Sequence, residues 1–218
     1  MGALRILIAE DHEVARQGIR SLLETHPGWE ICAEAKDGRE AVEAASKQKP
    51  DVLLLDIGMP NLNGLDAARQ ILATMPDARI LILTIHDSEQ VVREVLAAGA
   101  RGFLLKSDAG RDLLAAVEAL QQRRTFFTPK VAQMMLDGYL RPNEEMDPSG
   151  QQCILTPRER EVIQLVAEGK TTKEVAIALS LSVKTAETHR TNLMRKLNLH
   201  SVADLTLYAV RNGIVQIY

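Results

Sequence analysis

The first 123 residues of the chain alternate between short apolar runs and segments with helical periodicity. The apolar runs span residues 4–9, 29–35, 52–55, 80–84 and 102–105, and the helical segments span 14–25, 38–49, 65–75, 88–98 and 110–123. Several runs are apolar at nearly every position, which is typical of parallel strands covered by helices on both faces. Five strand–helix units in succession predict an α/β fold with a doubly wound, flavodoxin-like, five-stranded parallel sheet in the strand order 2-1-3-4-5.

Polar side chains stand where four of the predicted strands end. Glu10 and Asp11 follow the first strand, Asp56 follows the third, Thr84 ends the fourth and Lys106 follows the fifth. Ligands of an open parallel sheet bind beyond the carboxyl ends of the strands, and strands 1 and 3 are neighbours in this order. Each residue alone fits a helix cap, a turn or a surface charge, but all of them at successive strand ends favour one shared site.

The residue types at these strand ends indicate phosphoryl chemistry. Three carboxylates in one cleft repel each other and predict a bound cation. Oxygen ligands suit Mg²⁺, which keeps part of its water shell and bridges to phosphate. A carboxylate such as Asp56 can attack phosphorus and form an acyl phosphate, and an ammonium such as Lys106 offsets the charge of the transferred group.

The chain changes character after residue 125. A helix is predicted over 129–140, and the sequence RPNEEMDPSGQQ at 141–152 has the Pro, Gly and acid content of a linker. Beyond it the strand pattern stops, and Thr156 with Glu159, like Thr171 with Glu174, has the spacing of a capping box. Four helices are predicted there, at 157–167, 172–179, 183–197 and 201–212. The predicted domains are 1–125, a linker over 126–152, and 153–218.

The two middle helices of this last domain have the pattern of a helix-turn-helix unit. Their apolar positions recur at helical spacing, and the small residues Ala176 and Ala186 permit a close crossing. Residues 155–218 carry nine Lys and Arg against six Asp and Glu, although the net charge of the whole chain is −3. A basic end on an acidic chain hints at a polyanion partner. The helix pattern alone fits a small bundle with a solvated charged face equally well.

Four motifs carry a family resemblance over residues 3–124. LIAEDHEVARQGI, LLLDIGMPNLNGLD, ILILTIHD and AAGARGFLLKS occur in this order and resemble the receiver domain of bacterial two-component response regulators. The resemblance implies that Asp56 accepts a phosphoryl group from a histidine kinase, and that Lys106 pairs with the phosphoryl oxygens. It implies that Thr84 donates its hydroxyl to the phosphoryl group while Phe103 rotates inward. It also implies Mg²⁺ (or Mn²⁺) held by the carboxylates of Glu10, Asp11 and Asp56 and the backbone carbonyl of Gly58.

A second resemblance covers about residues 153–216. LTPREREVIQLVAEGKTTKEVAIALSLSVKTAETHRTNLMRKLNLHS is similar to the LuxR-type four-helix DNA-binding domain of the NarL/FixJ response regulators. The resemblance implies that Glu187, Thr188 and Thr191 read bases, and that the last helix forms a dimer. Contacts to the DNA backbone are implied for Lys184, His189, Arg190 and Arg195.

These patterns and resemblances together predict a cytoplasmic transcription regulator that is not an enzyme beyond accepting its own phosphoryl group and hydrolysing it. The expected partners are a sensor histidine kinase, a double-stranded DNA operator, a second copy of the chain on activation, and RNA polymerase. No membrane contact is expected, because no apolar run approaches the roughly 20 residues that span a bilayer.

Two alternatives compete with this interpretation. A phosphohydrolase that uses Asp56 as nucleophile usually needs a second acid two residues later, where this chain has Gly58. The other alternative is a DNA-binding regulator that does not respond to phosphorylation and uses the receiver as a dimerisation module.

Overall fold

The computed structural model describes residues 2–140 and 155–215. The chain divides into two compact units, Met1–Pro142 and Asn143–Tyr218, each with its own apolar core. The predicted linker sequence at 141–152 and the predicted domain start at residue 153 lie outside the described residues. Within the described ranges, no helix combines the length and the apolar character needed to cross a membrane.

The first unit is built on a parallel sheet. Its strands are β1 (Leu4–Ala9), β2 (Trp29–Ala35), β3 (Val52–Asp56), β4 (Arg79–Thr84), β5 (Gly102–Leu105) and β6 (Phe126–Phe127). They pair in the order β2-β1-β3-β4-β5-β6, which confirms the predicted order 2-1-3-4-5 and adds a sixth strand to the five expected. Two residues are too few to show a strand period, so this strand is recognisable only from its pairing with β5.

Helices cover both faces of the sheet. They are α1 (Glu13–Glu24), α2 (Gly38–Gln48), α3 (Gly64–Thr74), α4 (Glu89–Ala97), α5 (Ala109–Gln121) and α6 (Pro129–Leu140). The apolar sides of α1 and α5 share one core with the sheet, and those of α2, α3 and α4 share the other. All residues of β3 are buried, because this strand lies between β1 and β4 and is covered on both sides.

The segment after α5 also packs against the first unit. Val131 of α6 is fully buried in the same core as Val92 and Val95 of α4. At the start of α6, the ammonium of Lys130 pairs with the carboxylate of Asp87, which precedes α4. Helix α6 is therefore held beside α4 by a buried apolar contact and by an exposed ion pair.

The second unit consists, within its described residues, of α7 (Pro157–Ala167), α8 (Thr172–Ala178), α9 (Val183–Lys196) and α10 (Val202–Arg211). Thr156 with Glu159 and Thr171 with Glu174 form the two predicted capping boxes. Lys196 at the end of α9 pairs with Glu159 at 2.7 Å and so ties α9 to α7. The core of the unit contains Val162, Ile163, Leu165, Val175, Ala176, Ala186, Leu193, Leu205 and Ala209.

Candidate functional site

The site lies at the carboxyl ends of β1, β3, β4 and β5. Asp56 is the last residue of β3 and is only 2% exposed. Glu10, directly after β1, is fully buried, and Asp11 beside it is partly exposed. Lys106 follows β5, and its ammonium contacts the carboxylates of Glu10 and Asp56. The structure therefore brings the side chains of Glu10, Asp56 and Lys106 into contact, at three of the four strand ends that the sequence analysis named.

Lys106 connects the two buried carboxylates. Its ammonium nitrogen Nζ lies 3.0 Å from Asp56 Oδ1, 2.8 Å from Glu10 Oε2 and 3.0 Å from Glu10 Oε1. Burial lowers the pKa of Lys106, but Asp56 and Glu10 outweigh this effect and raise it, so the ammonium stays charged.

The second oxygen of Asp56 has a different environment. Asp56 Oδ2 is buried, and no described residue makes a hydrogen bond to it. The pKa of Asp56 is raised from 3.8 to about 6, because burial disfavours the charged form and because Glu10 lies nearby, with Lys106 acting in the opposite direction. A carboxylate with this pKa is mostly ionised at neutral pH, so Asp56 offers a charged, unshared oxygen to an electrophile.

Two glycines permit close backbone contacts around the loop that follows Asp56. The Gly64 N–H donates to the carbonyl of Ile57 at 3.1 Å, and a Cβ at Gly64 would lie 2.0 Å from the carbonyl oxygen of Asp56. The Gly38 N–H donates to the carbonyl of Leu62 at 3.1 Å, and a Cβ there would lie 2.1 Å from that oxygen. Only glycine permits these close approaches of one backbone to another.

The oxygen ligands at the end of β1 fit a hard divalent cation. Ligand atoms of Glu10, Asp11 and His12 lie within 4.8 Å of one another. His12 Nδ1 is 3.0 Å from Asp11 Oδ1 and 3.4 Å from Glu10 Oε1. The carboxylates of Glu10 and Asp11 are oxygen donors of the kind that suit Mg²⁺ or Mn²⁺. The sequence analysis did not name His12, and the structure places its ring beside the two acids that precede it.

The other predicted site residues occupy the expected strand ends. The hydroxyl of Thr84, buried at the end of β4, accepts a hydrogen bond from the His86 N–H at 3.1 Å. Gly58 is half-buried two residues after Asp56. Phe103 in β5 is fully buried in the core that also contains Val92 and Val95 of α4, so its ring points inward in this structure. The predicted roles of these residues remain predictions.

Helix α9 carries the predicted DNA-contacting residues. Ser182 caps its first turn by accepting the Thr185 N–H at 3.1 Å, and Ala186 and Leu193 are buried against the core. The opposite side of the helix is polar. Five of the seven predicted residues are exposed and two are half-buried: Lys184, Glu187, Thr188, Thr191 and Arg195 in the first group, and His189 and Arg190 in the second.

Two known families match the two units. Residues 6–118 match the response regulator receiver domain, and residues 153–209 match the bacterial regulatory proteins of the luxR family. The receiver match contains the site around Asp56, and the luxR match contains α9.

Two relatives match this chain over nearly their whole length. The transcriptional regulatory protein DegU of Brevibacillus brevis is 34% identical and covers 98% of this chain and 96% of its own length. The oxygen regulatory protein NreC of Staphylococcus epidermidis is 36% identical over 98% of this chain and all of its own length. A crystal structure of a LuxR family response regulator from Aurantimonas is 33% identical over 64% of this chain and 99% of its own, with a TM-score of 0.61.

The RcsB response regulator of Salmonella typhimurium is similar over nearly the whole chain. One of its structures covers 97% of this chain and 99% of its own, with 27% identity and a TM-score of 0.63. A structure of an RcsB–DNA complex matches over the same shares with a TM-score of 0.59. The chain therefore belongs to the two-component response regulators of the NarL/FixJ type, which are transcriptional regulators that combine a receiver domain with a LuxR-type DNA-binding domain.

Proposed function

We propose that Asp56 accepts a phosphoryl group from the phosphohistidine of a sensor histidine kinase. Oδ2 of Asp56 attacks phosphorus, an O–P bond forms, the N–P bond to the kinase histidine breaks, and that histidine leaves as the neutral or protonated imidazole. The observation that carries this proposal is the buried Oδ2, to which no described residue makes a hydrogen bond. An oxygen that is desolvated, charged and unshared is a competent nucleophile.

The cation site proposed here uses Glu10, Asp11 and Asp56 with the backbone carbonyl of Gly58. A bound Mg²⁺ or Mn²⁺ ion supplies charge neutralisation and orients the incoming phosphoryl oxygens. The chain's own residues supply the remaining charge. Lys106 already contacts Asp56 Oδ1, so a small movement of its ammonium is enough to pair it with a phosphoryl oxygen on that carboxylate.

Thr84 and the loop after it are proposed to report the phosphoryl group to α6. The Thr84 hydroxyl accepts from the His86 N–H, which leaves its own proton for a phosphoryl oxygen. Moving Thr84 toward the phosphoryl group moves the loop that contains His86 and Asp87, and Asp87 is the ion-pair partner of Lys130 in α6. The phosphorylated and unphosphorylated states then differ in their contacts, and such a difference is what a ligand-driven switch requires.

The output is proposed to be binding of a dimer to paired DNA half-sites through α9 in the major groove. A structure of RcsB from Salmonella enterica serovar Typhimurium is described as bound to promoter rprA in the presence of phosphomimetic BeF3-, and another as two RcsB dimers bound to two parallel DNAs. These descriptions support DNA binding by a dimer of this chain in its phosphorylated form. Such a regulator acts in the bacterial cytoplasm and can contact RNA polymerase there. Phosphoryl loss by hydrolysis on the chain itself returns it to the starting state.

Intact mass spectrometry of the full chain after incubation with acetyl phosphate and Mg²⁺ tests this function. The wild type and Asp51→Asn gain one phosphoryl group, and Asp56→Asn gains none. Asp51 is a matched control, because it directly precedes β3 whereas Asp56 ends that strand, and its carboxylate accepts the Arg5 N–H. DNA affinity is then measured with and without phosphorylation. A wild type that gains no phosphoryl group, or whose DNA affinity is indifferent to it, supports the phosphorylation-independent regulator instead.

A further inference from the structure

Arg16 of α1 is a buried arginine next to the proposed phosphorylation site. Its side chain is 4% exposed, although the residue lies on the first helix of the unit. Nη1 donates to the backbone carbonyl of Glu10 at 2.8 Å, Nε donates to Glu34 Oε2 at 3.1 Å, and Nη2 donates to Glu13 Oε2 at 3.1 Å. All three guanidinium nitrogens therefore have acceptors, and one acceptor belongs to a residue of the site.

The backbone of Glu10 needs such support, because β1 ends one residue earlier. The Glu10 N–H donates to the Ala35 carbonyl of β2 at 3.1 Å, and the Glu10 carbonyl accepts from Arg16. Glu34 of β2 holds the guanidinium from the other side. Both backbone polar groups of Glu10 are thus tied to β2, one directly and one through Arg16, and the direction of the following acid, Asp11, depends on that peptide.

The action of Arg16 on the site is geometric. Its positive charge is paired with the carboxylates of Glu34 and Glu13. Arg16 therefore has little net electrostatic effect on a bound cation or on the ligands of that cation. Its contact with the site is to a backbone oxygen, and it makes no hydrogen bond to the carboxylates of Glu10 and Asp11. A group that orients ligands from behind is a positioning residue, and loss of such a group commonly costs 10–100-fold in metal affinity.

We propose that Arg16 is a positioning residue for the divalent cation: it fixes the peptide of Glu10 so that Glu10 and Asp11 present their carboxylates to one ion. This inference rests on the proposed function, since it assumes that the cation takes part in phosphoryl transfer to Asp56. It gives a residue of helix α1 a role in cation binding, in addition to the residues at the strand ends.

The test compares Arg16→Met with Arg20→Met in the full chain. Arg20 pairs with the same Glu34 but is 41% exposed and pairs otherwise with Glu24, away from Glu10. The Mg²⁺ dissociation constant is measured by NMR titration with MgCl₂, and thermal unfolding is measured without Mg²⁺. We expect Arg16→Met to raise the dissociation constant about 10-fold or more, and Arg20→Met to leave it within about 2-fold of the wild type. An unchanged Mg²⁺ dissociation constant in folded Arg16→Met, whatever its unfolding temperature, overturns the proposal and makes Arg16 merely structural.

A kinetic measurement separates positioning from chemistry. With acetyl phosphate as donor, Arg16→Met raises the Mg²⁺ concentration for half-maximal phosphorylation, while the rate at saturating Mg²⁺ stays within about 3-fold of the wild type. If Arg16→Met does not fold, Arg16→Lys serves instead: one ammonium cannot reproduce three directed bonds, so a Mg²⁺ dissociation constant equal to that of the wild type overturns the proposal. A wild type that binds no Mg²⁺ defeats the proposed function itself, which distinguishes the two failures.

Discussion

The ammonium of Lys106 lies 3.0 Å from Asp56 Oδ1, and it lowers the pKa of Asp56 against the opposing effects of burial and Glu10. In the chain without Mg²⁺ the Asp56 carboxyl should titrate at a pH of about 6, which an NMR pH titration of its carboxyl carbon measures. Lys106→Met removes the ammonium that stabilises the charged carboxylate and should move this inflection to higher pH. Lys47→Met, which breaks only an exposed pair with Glu43, is the control. An unmoved inflection in Lys106→Met would show that the lysine does not set the ionisation of Asp56.

Asp56 also makes the receiver less stable than it could be. Its pKa is about 6 in the folded chain against 3.8 as the ordinary value, so between these values the folded state binds more protons than the unfolded state. The free energy of unfolding therefore falls as pH rises through this window, and at neutral pH the charged carboxylate costs up to about 3 kcal/mol. Asp56→Asn should raise the unfolding temperature of the receiver at neutral pH, with a gain that shrinks toward about pH 4. Thermal unfolding of both proteins at several pH values measures it, and a gain independent of pH would contradict the linkage.

The close approach at Gly64 predicts a large loss of stability on substitution. Gly64→Ala places a Cβ 2.0 Å from the carbonyl oxygen of Asp56, and only backbone movement can relieve the overlap. We expect the receiver to lose about 3 kcal/mol or more of its free energy of unfolding, at or above the upper end of the usual range for one substitution. Gly110→Ala is the matched control, because nothing lies within 4 Å of the added Cβ and alanine is the better helix former, by about 0.5–1 kcal/mol. Urea denaturation followed by circular dichroism compares them, and equal midpoints would refute the steric argument.

The parts of the fold that follow a repeating pattern could be predicted from the sequence. The first five strands, their order and the polar residues at four of their ends follow from apolar periodicity and from the geometry of parallel sheets. The two residues of β6 show no period, and the burial of Val131 depends on α4 being in place, so neither is visible in the sequence. The contact of Arg16 with the Glu10 carbonyl has the same origin: it depends on how α1 returns along the sheet, and a charged residue on a helix normally predicts a solvated side chain.

Within the site, residue types were predictable and their pairing was not. Carboxylates and a lysine at strand ends indicated a cation and a phosphoryl group. That Lys106 pairs with Glu10 as well as Asp56, and that Asp56 Oδ2 is left without a hydrogen bond, follows from side-chain positions set by the packed strands. The raised pKa of Asp56 has the same cause, since it depends mainly on burial.

Thr84 provides a test of coupling that leaves the nucleophile intact. Thr84→Val keeps the shape of the side chain but removes the hydroxyl that accepts from His86. We expect Asp56 to be phosphorylated still, as measured by intact mass, while the gain in DNA affinity on phosphorylation, about 5–150-fold for a typical coupling energy, falls toward 1. Thr84→Ser keeps the hydroxyl and should retain most of the gain. A full gain in Thr84→Val would move the switch to another residue.

The polar side of α9 predicts two different kinds of DNA-binding defect. Lys184 is exposed, and a lysine that contacts phosphate contributes affinity without sequence preference, so Lys184→Ala should weaken binding to operator and unrelated DNA alike. It should also make the slope of log K against log salt shallower by about 0.9.

Glu187 can accept a hydrogen bond from cytosine N4. Glu187→Ala should therefore reduce the difference in binding free energy between operator and unrelated DNA by about 1–3 kcal/mol, and the salt slope should become no steeper. Lys170→Ala, at an exposed position between α7 and α8, is the control for loss of a positive charge elsewhere in the unit. Fluorescence anisotropy at several salt concentrations distinguishes the two classes, and an identical loss on both DNAs for Glu187→Ala would remove that residue from base reading.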